Sequence, residues 1–294
     1  MTDFIAISNR KGGVGKTTLT MMTAYGFALY GQKRVLVIDL DAQASSSLSF
    51  LGADRWIEAK DSGRHAGDML INAFGDGKNI DISQFIVQGG GDVISPPRDP
   101  VIDVIPSSSA LDDSERTLLY MMAQSEPTLE EVFYDIERKV ANIIRSADGL
   151  YDVVILDCPP GLSCAAWGGL RAADYALIPY TADPTAEDNI RALMKNVLLR
   201  DIETRFIPIA NRVGNAGGSA MVIDAIEHEY GKFGLQIPSR QALVNALSYN
   251  EEPVSPSIKF GSARNLVENL HEAILTWKHH APQTVPIENE YASA

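Results

Sequence analysis

The sequence predicts a single α/β domain built on a doubly wound, mostly parallel β-sheet flanked by helices. Three observations carry this expectation. Short apolar runs such as 34–39 and 153–157 alternate with helical patterns along most of the 294 residues, and strands that are apolar throughout are those covered on both faces. The first run leads through a glycine-rich loop into a helix and then a second run, a βαβ unit whose crossover is right-handed. Acidic residues stand at the carboxyl ends of two runs, the side of an open parallel sheet on which ligands bind.

Composition bounds the alternatives. A chain of 294 residues is long enough for one large domain with a full core. Hydrophobic residues make up 45% and charged residues 21%, an ordinary globular balance. No run of 18 apolar residues predicts a membrane-spanning helix, and the start lacks the basic, cleavable pattern of a signal peptide. A cytoplasmic location is expected. The two cysteines, Cys158 and Cys164, lack metal or redox spacing and read as small buried thiols. A net charge of −13 argues against binding nucleic acid over the whole surface and leaves only a local basic patch.

The elements follow in order. Residues 3–8 form a buried strand, and a helix runs from Lys16 to about Tyr30, where Gly31 stops it. The second strand is 34–39. Residues 53–100, with the breakers Gly89-Gly90-Gly91 and Pro96-Pro97, read as a helix-containing excursion on the same domain. Strands are expected at 101–106, 153–157, 175–180 and 205–210. An amphipathic helix is expected at 127–147, and further helices at 186–199, 217–230, 240–247 and 261–278. The domain therefore spans 1–280, and residues 281–294, with Pro282 and Pro286, form a flexible tail.

The segment Ser8-Asn9-Arg10-Lys11-Gly12-Gly13-Val14-Gly15-Lys16-Thr17-Thr18 carries the strongest chemical signal. Gly15-Lys16-Thr17 fits the end of the common phosphate-loop pattern, but Arg10 stands where that pattern has its first glycine. Phosphate oxygens must approach successive backbone N–H groups, and Gly12, Gly13 and Gly15 keep that path free of side chains. The loop opens a helix, whose N-terminus favours anions. Lys16 supplies a point charge for the β- and γ-phosphates, and the Thr17 hydroxyl is a magnesium ligand.

Asp39 and Asp41 close the second strand, and Asp157 closes the run 153–157. A carboxylate at the end of a buried strand is costly without a partner. The parallel sheet sets all three beside the loop.

The pattern Lys-Gly-Gly-x-Gly-Lys-Thr, with its second lysine, resembles the deviant Walker A loop of the ParA/MinD group of P-loop ATPases. It is nearer to the Soj-like ParA proteins, and similarity runs almost end to end. The chain opens directly on the first strand, which implies a form without the N-terminal helix-turn-helix domain of longer plasmid members. The resemblance implies an ATPase that binds ATP and Mg2+ and works as a homodimer when ATP-bound, with Lys11 reaching across to the partner's nucleotide. It makes Asp157 the Walker B acid on magnesium and Asp41 the acid that orients the attacking water. Asp39 becomes a residue that supports the magnesium ligands or touches a magnesium-bound water. It also makes Asn211 a base contact and sets Pro238, in Ile237-Pro238-Ser239-Arg240, near the adenine. One departure stands out: the family often continues Asp-Pro-Gln-Gly where this chain has Asp41-Ala42-Gln43-Ala44.

ParA-type proteins bind DNA non-specifically as ATP dimers, position DNA or other cargo on the nucleoid, and are stimulated by a ParB-like or cargo adaptor protein. The candidate phosphate contacts here are Arg191, Lys195, Arg200, Arg205, Arg240, Lys259 and Arg264, since backbone binding needs clustered cations. The C-terminal end, Trp277-Lys278-His279-His280 before an acidic tail, does not fit a basic membrane-binding helix, so no membrane partner is expected. Two alternatives remain: a MinD-like membrane-associated regulator, and a metabolic or assembly ATPase on the same fold.

Overall fold

The computed structural model describes residues 1–75, 80–123, 128–161, 163–214 and 218–280. The strands are β1 (Asp3–Ile7), β2 (Arg34–Asp39), β3 (Val87–Gly90), β4 (Val101–Ile105), β5 (Val153–Asp157), β6 (Tyr175–Tyr180), β7 (Arg205–Val213) and β8 (Ile237–Pro238). They form one sheet in the order β3-β4-β2-β5-β1-β6-β7-β8. Neighbours pair in parallel, except the edge pair β3–β4, which is antiparallel.

The helices are α1 (Lys16–Tyr25), α2 (Ser45–Asp61), α3 (Ala66–Gly75), α4 (Ala110–Met122), α5 (Leu129–Arg145), α6 (Cys164–Ala172), α7 (Ala186–Leu199), α8 (Gly218–Tyr230), α9 (Gln241–Asn245), α10 (Pro256–Phe260) and α11 (Arg264–His280). Alternate side chains of each central strand serve opposite cores, as the pleat requires. Phe4, Ala6, Leu36, Ile38, Val154 and Leu156 face the core covered by α3 to α8. Ile5, Ile7, Val35, Val37, Val153 and Ile155 face the core under α1, α2 and α9 to α11. Every central strand is therefore apolar on both sides, which is why continuous apolar runs marked them.

Local signals explain most element ends. Val132, Ile136, Val140 and Ile144 form one buried stripe on α5. Thr128 caps that helix by accepting from Glu131 N at 3.2 Å, and its hydroxyl donates to the Glu131 carboxylate at 2.7 Å. The first helix does run to Tyr30, but its last turn, Gly26–Tyr30, is π-helical. Gly31 ends it in right-handed backbone at φ −82°, and the left-handed residue is Gln32 at φ 51°. Gly31 is needed for space instead: a Cβ there would lie 2.7 Å from Phe27 O and 2.9 Å from His271 Nε2.

The excursion holds the second half of α2, kinked at Gly52 (φ 71°), then α3 and β3. Among the described residues three helices were not anticipated, the short α10 among them. α4 follows β4 directly, and α6 begins at Cys164, which is buried in its first turn. The expected tail, 281–294, lies outside the described residues.

A buried ion pair ties the excursion to the C-terminal helices. Lys259 Nζ lies 2.5 Å from Asp92 Oδ2, with both side chains inaccessible. Asp92 also accepts from Tyr25 OH at 2.7 Å and from Asn250 N and Nδ2 at 2.8 and 2.6 Å. Lys259 was expected on a DNA-binding surface; the structure corrects this, because its ammonium sits in the core with a partner. Removing one member of such a pair strands the other charge. Asp92→Ala is therefore predicted to destabilise the fold by about 3–5 kcal/mol in chemical denaturation; a loss below about 1 kcal/mol would refute the role.

Candidate nucleotide site

The sheet register brings the site together. Asp157 pairs with Ile7 of β1 on one side and with Asp39 of β2 on the other, so both acids end flush with the start of the glycine loop. Two asparagines pin that loop from below. Asn9 Nδ2 donates to Pro179 O at 2.8 Å, and its Oδ1 accepts from Lys11 N at 2.9 Å. Asn211 Nδ2 donates to Val14 O at 2.7 Å. Gly15 sits at φ 93°, and a Cβ on it would lie 2.3 Å from that amide nitrogen. Gly12 and Gly13 stay exposed, and the first turn of α1 carries no acid. The result is an unobstructed anion cradle at a helix N-terminus.

Lys16 is 7% exposed, and its Nζ lies 3.4 Å from Lys11 O. Burial lowers its pKa, opposed by the charges of Asp157 and Asp41. Asp157 Oδ2 accepts from Thr17 Oγ1 at 3.0 Å and from the Ser46 hydroxyl. Its Oδ1 is buried and has no partner among the described residues. Burial pushes the Asp157 carboxyl up to about 6. A hydroxyl beside a carboxylate with one unengaged buried oxygen suits a hard, oxygen-seeking divalent cation.

Asp39, expected near the magnesium, is held by donors of the protein. Its Oδ2 accepts from Ser47 N and Oγ at 2.9 and 2.6 Å, and its Oδ1 accepts from Asp41 N at 3.0 Å. Ser47 Oγ in turn accepts from Ser107 N at 2.8 Å. Asp39 thus anchors the segment 41–47 to the end of β4. Burial, and then the charge of Asp157, raise its carboxyl to about 7. Asp41 is half-buried and its Oδ1 accepts from Gln43 N at 2.9 Å. Ala44, where the family pattern has glycine, adopts φ 54°, a left-handed conformation that a Cβ disfavours.

Lys11 turns away from the cradle. Its Nζ lies 2.7 Å from Asp183 Oδ2 and 3.3 Å from Thr185 Oγ1. Asp183 also accepts from Thr181 Oγ1 at 2.6 Å and from Thr185 Oγ1 at 2.7 Å, and these bonds hold its carboxyl well below the usual range, Lys11 first. Asn211, expected at the base, is engaged at both ends by protein, since its Oδ1 accepts from Arg212 N at 2.9 Å. Pro238 pairs with Val213 beside it, and Thr18 is half-buried in the first turn of α1.

The candidate DNA contacts are not gathered. Arg191 is bound to Glu187 at 2.6 Å and Glu229 at 3.2 Å. Arg200 is paired with the fully buried Glu137 and lies over the Trp167 ring at 4.6 Å; the structure assigns it to the fold. Arg205 lies over Trp277 at 5.1 Å. Lys195, Arg240 and Arg264 are exposed, the first on α7 and the others at α9 and α11, on opposite faces of the sheet.

Ser46, Ser47 and Ser107 escaped the sequence reading because serines after an acid look like ordinary loop polarity. Asp183, in Asp183-Pro184-Thr185, reads as a turn. Glu115 of α4 was also missed: its Oε1 accepts from Ala165 N at 2.6 Å, joining α4 to the start of α6.

A bare glycine loop with a buried lysine at a helix N-terminus, flanked by strand-end carboxylates, defines a P-loop nucleotide-binding protein. Residues 2–206 match a family model described as an AAA domain. Soj, the sporulation initiation inhibitor protein of Bacillus subtilis (strain 168), is 31% identical over 199 residues, covering 68% of this chain and 66% of Soj, just under two thirds of its length. Among solved structures, a Borrelia burgdorferi B31 plasmid partition protein bound to AMPPNP superposes with TM-score 0.69 at 19% identity, covering 94% of this chain and 99% of that one. The pNOB8 ParA bound to nonspecific DNA gives 0.67 at 20%, covering 96% and 100%. The likeness to these two structures is one of fold. The chain belongs to the ParA/MinD-type P-loop ATPase family.

A carboxyl with a raised folded pKa binds its proton more tightly folded than unfolded, so stability falls as pH rises from 3.8 through about 7 for Asp39. Asp157 adds the same sign up to about 6. Asp157→Asn is therefore predicted to raise the melting temperature of the nucleotide-free protein at pH 8 and to leave it nearly unchanged at pH 4. Equal effects at both pH values would show that the two carboxylates do not repel in the folded chain.

Proposed function

We propose that this chain is a magnesium-dependent ATPase that dimerises on ATP, binds duplex DNA non-specifically as a dimer and positions or segregates DNA or other cargo, with a ParB-like or cargo adaptor stimulating hydrolysis. The observation that carries this reading is the divergence of two lysines from one loop. Lys16 is buried under the cradle, whereas Lys11 points out along the surface to Asp183. A lysine aimed away from its own cradle is suited to a phosphate on a second copy. The AMPPNP held by the Borrelia protein and the nonspecific DNA held by pNOB8 ParA support ATP and DNA as ligands.

In this reading the exposed N–H groups of Gly12 and Gly13, with Val14, Gly15 and Thr18, hold the phosphate chain, and Lys16 neutralises the β- and γ-oxygens. Thr17 and Asp157 hold magnesium, which when bound supplies charge stabilisation to those oxygens. Asp41 orients the attacking water for in-line displacement. Asp39 sets the position of Asp41 by accepting from its backbone N–H at 3.0 Å. The acidic surface, net −13 per chain, disfavours DNA binding by monomers, while a dimer doubles any local patch. Among the described residues no helix is long and apolar enough to cross a membrane.

Lys11→Ala is predicted to abolish the ATP-dependent dimer in light scattering while ATP binding itself persists; an undiminished dimer would sink the trans-lysine role. Random-sequence duplex DNA is expected to bind only with ATP, and to weaken steeply across a salt series. Binding that ignores nucleotide, or no binding at all, would remove DNA from the function.

A further inference from the structure

We propose that Arg212 is a nucleotide-holding residue for the ribose and base end of the ligand, aimed there by a bulge in β7. The inference rests on the nucleotide reading above and extends it to a residue with no assigned part. Three observations converge. In the β7–β8 pairing, Asn211 opposes Ile237 and Val213 opposes Pro238, so Arg212 is the extra residue of a bulge, a device that re-aims a side chain. Its backbone is left-handed at φ 55°, a conformation uncommon for residues with a Cβ. Its Nε lies 3.9 Å from where a Cβ on Gly15 would stand, so the guanidinium reaches the last residue of the phosphate loop.

Electrostatics makes the placement odd unless an anionic or aromatic ligand joins it. Arg212 is exposed at the end of β7, against the loop that leads into α1 and the buried Lys16. Most arginines of this acidic chain are ion-paired, hydrogen-bonded or stacked, Arg34, Arg145, Arg191 and Arg200 among them. Among the described residues no carboxylate pairs with Arg212. A strained backbone that holds an unpaired cation against a cation-rich loop points to something outside the chain.

The sheet order says which part of the ligand that is. The loop follows β1. On one side lie β5 and β2, whose acids gather Thr17 and the triphosphate end; on the other lie β6, β7 and β8. A nucleotide whose terminal phosphate faces Asp157 runs its ribose and base toward the carboxyl end of β7. There Asn211 is already consumed by Val14 and by Arg212 N, leaving the planar guanidinium to lie against the purine face.

The test uses Arg212→Gly, because glycine adopts the left-handed backbone freely and the variant keeps its fold. It is expected to melt no lower than wild type, yet to weaken ATP and ADP alike by about five- to tenfold, and to leave tripolyphosphate unchanged as a competitor for the loop. Arg212→Lys, which keeps charge but not the plane, is expected to behave like glycine. Undiminished ATP affinity in Arg212→Gly would overturn the proposal, as would a loss of tripolyphosphate binding equal to that of ATP. Failure of the wild-type chain to bind ATP would instead overturn the nucleotide reading itself.

Discussion

Two carboxylates ending side by side on adjacent buried strands are the constraint around which the rest is arranged. Asp39 and Asp157 are register partners, both are almost wholly buried, and each raises the cost of ionising the other. Such a pair persists only with compensation. Much of the surrounding sequence supplies it: Ser46 and Thr17 donate to Asp157, Ser47 and the Asp41 amide donate to Asp39, and Lys16 provides charge within the loop. Asp157 still keeps one unengaged oxygen. The fold holds that deficit in a rigid sheet, and in the proposed reading a divalent cation and a polyphosphate together relieve it.

How much of this was legible in the sequence depended on periodicity. The central strands could be read almost to the residue, because burial on both faces leaves an unbroken apolar run. The helix at 186–199 was equally clear. α4 and α6 were not, since each follows its strand through a short connection that reads as loop, and Cys164 looked like part of one. β3 and β8 are too short, at four and two residues, to show any pattern. The phosphate loop and Asp157 were legible as chemistry, because glycine, lysine and acid at those spacings have few other uses. The anchoring of Asp39 by Ser47 was not, because it depends on a chain turn that returns a serine eight positions later.

The basic residues show why charge in a sequence is a weak guide to surface. Lys259, Arg200 and Arg191 looked alike as candidates. In the structure the first is a core ion pair, the second covers a buried glutamate and a tryptophan ring, and the third binds carboxylates from two helices. In this acidic chain many cations are taken up by an internal carboxylate, so those left over gain meaning. Glu115 illustrates the converse. A half-buried acid from α4 fastens the first turn of α6, and so binds the region after β4 to the connection that follows Asp157.

The resting place of Lys11 sets the scale of what the proposed dimer asks of it. Its pair with Asp183 is about one-third exposed on both sides, and ion pairs so exposed contribute on the order of 0–1 kcal/mol. Lys11 is therefore parked, not locked. Asp183 keeps the hydroxyls of Thr181 and Thr185 when the lysine leaves, so no orphaned charge pulls it back. In the proposed dimer a polyphosphate carrying several negative charges would outcompete one carboxylate, and the lysine would change owners without the fold having to loosen.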